Sequence, residues 1–264
     1  MGAKLALVLG GGGARGAFQV GALRALLAAG YAPSVLVGTS IGAVNAAFLG
    51  LHGLGADSLD RLEAAWYDAA KADLLPTNYL WLTVRSLFGR GGGGLESRLQ
   101  EFLGEYGLTP GLRFGQLPGP PIYLVTADLA SGRPAVYGDD PEEDVVEGVL
   151  ASAALPPWIH PLEKRDRLLA TLFRRQLDLE LALAAALEVQ VRLISLRSKE
   201  PVAIWDFSRS RELIQTGYAI ASAEIATWSA EKAGSRLPLR SRLAGLGVWS
   251  AKEPAADDRS SDLE

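Results

Sequence analysis

The sequence predicts an α/β protein, a three-layer α/β/α sandwich around a mainly parallel sheet. Short, continuous apolar runs recur (5–9, 34–37, 122–126), as strands buried on both faces do. The first two lead directly into helical patterns, and strands alternating with helices build parallel sheets. The 264 residues, 48% hydrophobic and 21% charged, are enough for one large core.

Each element follows in order. Leu5 to Leu9 reads as a strand. Arg15 to Ala29 reads as a helix with Phe18, Leu23, Leu26 and Leu27 on one face and Gly30 as its stop. After the second strand, Ile41 to Leu51 forms a small-residue helix. Residues 57–88 read as helical and aromatic-rich (Trp66, Tyr67, Tyr79, Trp81, Phe88), packing as a flap over the sheet, with an apolar lid as the alternative. The run RGGGG at 90–94 marks a loop, and a helix spans 95–105. A Pro/Gly-rich loop at 109–121 leads to the strand at 122–126 and a short strand at 134–137. Then come a helix at 142–154 ended by Pro156 and Pro157, a last strand at 189–196, and a long helix at 209–232. Residues 1–250 are expected to form one domain, and the polar segment 251–264 a disordered tail.

Composition narrows the function classes. A net charge of −4 gives no nucleic-acid footprint. Zero cysteines exclude disulfides and thiolate metal sites. No run approaches the ~18 to 20 apolar residues of a spanning helix, and the start carries no convincing leader, so the expectation is a soluble cytoplasmic protein.

Two motifs carry chemistry. Gly38-Thr39-Ser40-Ile41-Gly42 is G-x-S-x-G between a short strand and a helix. A nucleophilic serine on such a sharp turn needs small neighbours, and the helix N-terminus behind it favours developing negative charge. The bland alternative is a helix-capping serine in a tight turn. Upstream, Gly10 to Gly13 precede Ala14-Arg15-Gly16. Gly11-x-Gly13-x-x-Gly16 formally matches the dinucleotide fingerprint, but no acidic residue follows about twenty positions on. The lysine of a Walker loop is absent too. The reading that remains is an oxyanion hole built from Gly11, Gly12, Gly13 and Arg15, facing an ester attacked by Ser40. A phosphate cradle is the weaker alternative.

GGGGARGAFQVGALRALLAAG followed by VLVGTSIGAVNAA resembles the patatin-like phospholipase family, in its bacterial branch. The similarity runs through Asp128 in TADLASG, through ASAALPPWIHPLE (151–163) and into ELIQTGYAIA (212–221), covering roughly residues 4–235. The resemblance implies a three-layer α/β/α fold, hydrolysis of acyl esters of lipids, a Ser-Asp dyad without histidine, no metal and no cofactor. It implies an acyl ester or lipid as the substrate partner, with transient membrane-surface contact and no nucleic acid. The two histidines fit. His160 in PPWIHPLE reads as structural, and His52 lies at the far end of the helix that starts at the serine turn.

One position departs. The family's dyad aspartate, in an Asp-Gly-Gly motif, falls at Ala170, where the chain reads Leu169-Ala170-Thr171-Leu172. The stretch 168–189 reads as one amphipathic helix without glycine. Asp166 and Asp178 are the acidic neighbours, but neither aligns, and Asp128 reads as a structural loop residue. The expectation is a serine esterase or lipid acyl hydrolase whose activating aspartate is missing. The alternatives are an impaired member that binds lipid or a partner and, less favoured, a nucleotide-binding α/β domain.

Overall fold

The computed structural model describes residues 5–71, 93–128, 131, 133–154, 177–203 and 206–233. The chain divides into a unit Met1–Ile225 that carries the sheet, and a second unit, Ala226–Glu264, whose described part is the end of the last helix.

In chain order the elements are β1 (Ala6–Leu9), a 3-10 turn (Gly13–Gly16), α1 (Ala17–Ala28), β2 (Val35–Thr39), α2 (Ile41–His52), α3 (Ala56–Lys71) and α4 (Gly93–Glu105). Then follow β3 (Ile122–Ala127), β4 (Pro134–Tyr137), α5 (Val145–Ala153), a helix α6 over 177–186 and α7 (Ser210–Ala233). The strands form one sheet in the order β1-β2-β3-β4, the first three parallel and β4 antiparallel. The α/β class with a mainly parallel sheet is as the sequence predicts.

The pairing explains which face is buried. Leu9, Gly38, Leu124 and Tyr137 form one cross-sheet row, and Leu7, Leu36 and Ile122 another on the same face. Period-two alternation sends all of these side chains to one side. There α2 and α5 lie: Gly50 stands over Ile122, and Gly148 over Leu124 and Tyr137. The opposite row begins at Val8, which is 69% exposed at the β1 edge.

Two expectations are corrected. The segment 189–196 is not a strand, although its β-branched content predicts one. Such propensity becomes a strand only through a paired neighbour, and no ladder reaches this segment among the described residues. Gly93 and Gly94 belong to the first turn of α4 rather than to a loop, glycine being tolerated where a helix starts. Residues 72–92 lie outside the described ones, so the lid or flap reading of Tyr79, Trp81 and Phe88 does too. The same holds for Pro156, Pro157 and the expected tail.

Helices α1 and α7 cross backbone to backbone. A Cβ on Gly21 would stand 1.9 Å from the Ile214 carbonyl oxygen, and one on Gly217 would stand 2.1 Å from that of Phe18. Adding a methyl at Gly21 should gain about 1 kcal/mol of helix propensity but cost about 1–3 kcal/mol in overpacking. Gly21→Ala is therefore expected to lower the urea midpoint at unchanged m-value, a net loss of up to about 2 kcal/mol. A raised midpoint would mean that the helices do not approach this closely.

Candidate active site

The serine turn is built by backbone packing. β2 ends at Thr39, and α2 starts at Ile41 with Ser40 as its N-cap. Two residues further, a Cβ on Gly42 would lie 2.1 Å from the Leu9 carbonyl oxygen, so only glycine lets the start of α2 cross the end of β1. Between these contacts Ser40 takes φ 55°, ψ −121°. A non-glycine residue there stores on the order of 1–3 kcal/mol of strain and persists only if its surroundings over-determine it.

Those surroundings are visible. Ala43 and Val44 N–H groups donate to the Ser40 carbonyl at 2.9 and 3.3 Å. The Ser40 N–H donates to Ser152 Oγ at 2.8 Å, and that hydroxyl in turn donates to the Val125 carbonyl at 2.6 Å. Ser152 sits on α5, whose N-cap Asp144 accepts from Val146 and Glu147 N–H groups at 2.8 and 3.0 Å. One hydroxyl thus ties α5, β3 and the serine turn together.

The glycine loop runs beside the serine. A Cβ on Gly11 would stand 3.3 Å from Ser40 Cβ and 3.9 Å from its Oγ. Gly13, at φ 57°, turns the chain into the 3-10 turn that leads into α1. Among the described residues, the N–H groups of Gly11, Gly12 and Gly13 donate to no backbone carbonyl outside the helices and strands. Arg15 differs from them. Its N–H returns to the Gly12 carbonyl at 3.3 Å, as does its Nε at 3.2 Å, so that backbone donor is used within the loop.

A cavity of about 690 Å³ opens at Ser40 and runs along α2, lined chiefly by apolar side chains including Val44, Phe48, Trp66, Leu103 and Leu150. Volumes of this order hold a small ligand's bulk. Tyr106 is on its wall. Burial, and then the hydrogen bond that its hydroxyl donates to Asp68 at 2.9 Å, push this phenol up to about 12. Asp68 is held below the ordinary carboxylate range by the hydrogen bond from Lys71, then by that from Tyr106.

The other candidates lie as follows. His52 closes α2 at the end far from Ser40, as expected, with Nε2 3.0 Å from the Tyr106 carbonyl and its ring packed on Phe48. Asp128 accepts from Ser131 Oγ at 2.5 Å, and its N–H donates to the Arg133 carbonyl at the β3–β4 turn. Asp178 is exposed on α6 and does not line the cavity. His160, Asp166 and Ala170 lie outside the described residues. Ser40 Oγ makes no hydrogen bond to a carboxylate among the described residues. Nor do three His, Cys, Asp or Glu side chains stand together among them to hold a metal. No described helix is long and apolar enough to cross a membrane. Sequence reasoning missed Ser152, and also Gln19 and Asn45, whose only signal is a polar residue inside an otherwise apolar or small-residue helix.

An α/β frame with a serine on a left-handed strand-to-helix turn, beside a glycine loop and an apolar cavity, defines a narrow class. A model of the patatin-like phospholipase family matches residues 7–178, more than half of the chain, and the chain belongs to this family. Its members are lipid acyl hydrolases. Among solved structures, the type III effector ExoU is similar at 20% identity over 86% of this chain and 54% of that chain, with a TM-score of 0.45. Full-length SpcU in complex with full-length ExoU from the Pseudomonas aeruginosa type III secretion system is similar at 15% identity, 85% and 52% coverage, and a TM-score of 0.43. The present chain spans about half the length of those chains. No curated protein sequence matches.

Two tests follow from this geometry. Ser152→Ala leaves the Ser40 N–H without its acceptor and is expected to cost about 1–3 kcal/mol of stability in urea unfolding. A cost under ~0.5 kcal/mol would mean that the bond does not hold the turn. Alkaline titration followed by phenolate absorbance should show Tyr106 ionising near 12, a step absent in Tyr106→Phe. Its pKa is raised on folding, so its stabilising contribution is complete below the unfolded value of about 10 and lost as pH rises towards 12. Ionisation at the ordinary value would contradict the burial and hydrogen bond described.

Proposed function

We propose that this chain is a serine acyl hydrolase of lipid esters, with Ser40 as nucleophile and the N–H groups of Gly11, Gly12 and Gly13 as oxyanion donors. The observation that carries the reading is the left-handed backbone of Ser40 with Gly11 packed against its side chain. Ser40 Oγ attacks the ester carbonyl carbon as its proton leaves to a base. The tetrahedral oxyanion faces the glycine amides, each donor being worth about 10²–10³ in kcat. Collapse expels the alcohol, which takes up the proton, and water then releases the carboxylic acid from the acyl-serine. The apolar cavity along α2 supports an acyl chain as the part of the substrate that is gripped.

The weak link is the base. A serine hydroxyl attacks poorly without one, and general-base help is worth about 10²–10⁴ in rate. At Ala170 the resemblance expects an aspartate and the chain offers a methyl group. Turnover is therefore expected to be slow, and this residue is what favours the second reading, an impaired family member that binds lipid without cleaving it. Arg15, whose N–H is used within the loop, is assigned no oxyanion role.

Purified protein is expected to release p-nitrophenol from acyl esters, faster as the acyl chain lengthens, with Ser40→Ala abolishing the reaction. Activity that survives Ser40→Ala would overturn the mechanism. Ala170→Asp combined with Thr171→Gly and Leu172→Gly should raise kcat by about 10²-fold or more. No rise would mean that the missing carboxylate is not what limits the protein.

A further inference from the structure

Three buried polar side chains lie beneath the glycine loop, in contact with one another and with its backbone. Gln19 on α1, Asn45 on α2 and Trp66 on α3 are all buried, Asn45 completely. The Trp66 indole N–H donates to Asn45 Oδ1 at 3.1 Å. Asn45 Nδ2 donates to the Gly16 carbonyl at 3.2 Å and to Gln19 Oε1 at 2.9 Å. Gln19 Nε2 donates to the Gly10 carbonyl at 2.7 Å. The chain of bonds therefore ends on the two carbonyls that bracket the loop.

We propose that Gln19, Asn45 and Trp66 are positioning residues for the glycine loop, and that Gln19 in particular sets the direction of the Gly11 N–H. This inference rests on the reading of that loop as the oxyanion site. The direction of the network is fixed at both ends, by the indole donor of Trp66 and by the carbonyl acceptors of Gly10 and Gly16. An indole nitrogen only donates, so Trp66 forces Asn45 to present its oxygen to it and its amino group to Gly16 and Gln19. Gln19 must then turn its own oxygen to Asn45 and its amino group to Gly10. In a trans peptide the C=O of one residue and the N–H of the next point in opposite directions. Drawing the Gly10 carbonyl down to Gln19 therefore turns the Gly11 N–H away from the core, at the residue packed against Ser40 Cβ.

A buried network of this kind is costly unless every member is satisfied, and the bonds here use each amide group that faces the loop. It also joins the loop to the helix that Ser40 caps, so loop and serine are held by the same side chain, Asn45. Trp66 lines the cavity and stacks on Phe207 at 5.7 Å, which ties this end of the network to the cavity wall.

The test compares Gln19→Met, which keeps the volume and removes the donor, with Leu59→Ala, a buried α3 residue outside the network that serves as a stability control. Kinetics on p-nitrophenyl esters should show kcat falling on the order of 10²-fold in Gln19→Met with KM nearly unchanged. Leu59→Ala should hold kcat even at a similar loss of urea midpoint. A fall of less than about tenfold, or an equal fall in Leu59→Ala, overturns the proposal. If the parent protein hydrolyses no ester, the acyl-hydrolase reading has failed instead. The positioning is then decided by crystal structures of parent and Gln19→Met: a turned Gly10–Gly11 peptide in the variant upholds it, and an unturned one overturns it.

Discussion

Everything in the site depends on one place where backbone meets backbone, at the crossing of the end of β1 by the start of α2. Gly42 has no room for a side chain against the Leu9 carbonyl. That contact sets how far α2 sinks onto the sheet, and so where its N-cap, Ser40, must turn. The turn forces a left-handed serine, and the same closeness brings the loop that leaves β1 alongside the serine side chain. Loop and serine are therefore neighbours because strand and helix are.

The strain in that turn is offset from two sides. From α5, Ser152 Oγ accepts a hydrogen bond from the Ser40 N–H and donates one to the Val125 carbonyl of β3. From the core, Asn45 and Gln19 fix the carbonyls at both ends of the glycine loop. Helices α1, α2, α3 and α5 each contribute one polar group to the site, while the apolar rows of the sheet hold those helices in place. Losing any one of these polar groups leaves a buried partner unsatisfied. What they restrict is orientation, which is what preorganised charge stabilisation requires.

The parts legible in sequence are those encoded by neighbouring residues. The strands before each glycine motif, the serine turn itself and His52 at the far end of α2 follow from local pattern. The supports did not, because their partners are remote: Ser152 reaches back 112 residues to Ser40, and Asn45 reaches 26 to Gln19. The same reason explains the failure at 189–196, where an apolar, β-branched run has the propensity of a strand but no paired neighbour among the described residues. Arg15 is instructive in the opposite sense. Its place in the motif suggests a donor, and only the 3-10 turn reveals that its N–H is directed back to Gly12. The departure at Ala170 is a property of sequence alone, a methyl group where the family resemblance expects a carboxylate.

In the proposed reaction the glycine amides face the atom on which negative charge develops at Ser40. The most direct measurement is a crystal structure of the protein after reaction with a long-chain fluorophosphonate, whose phosphonyl oxygen stands in for the oxyanion. A covalent bond from phosphorus to Ser40 Oγ is expected, with that oxygen within about 3.1 Å of the amide nitrogens of Gly11 to Gly13 and the alkyl chain lying along α2. An adduct on another residue, or an oxygen turned away from the loop, would contradict it.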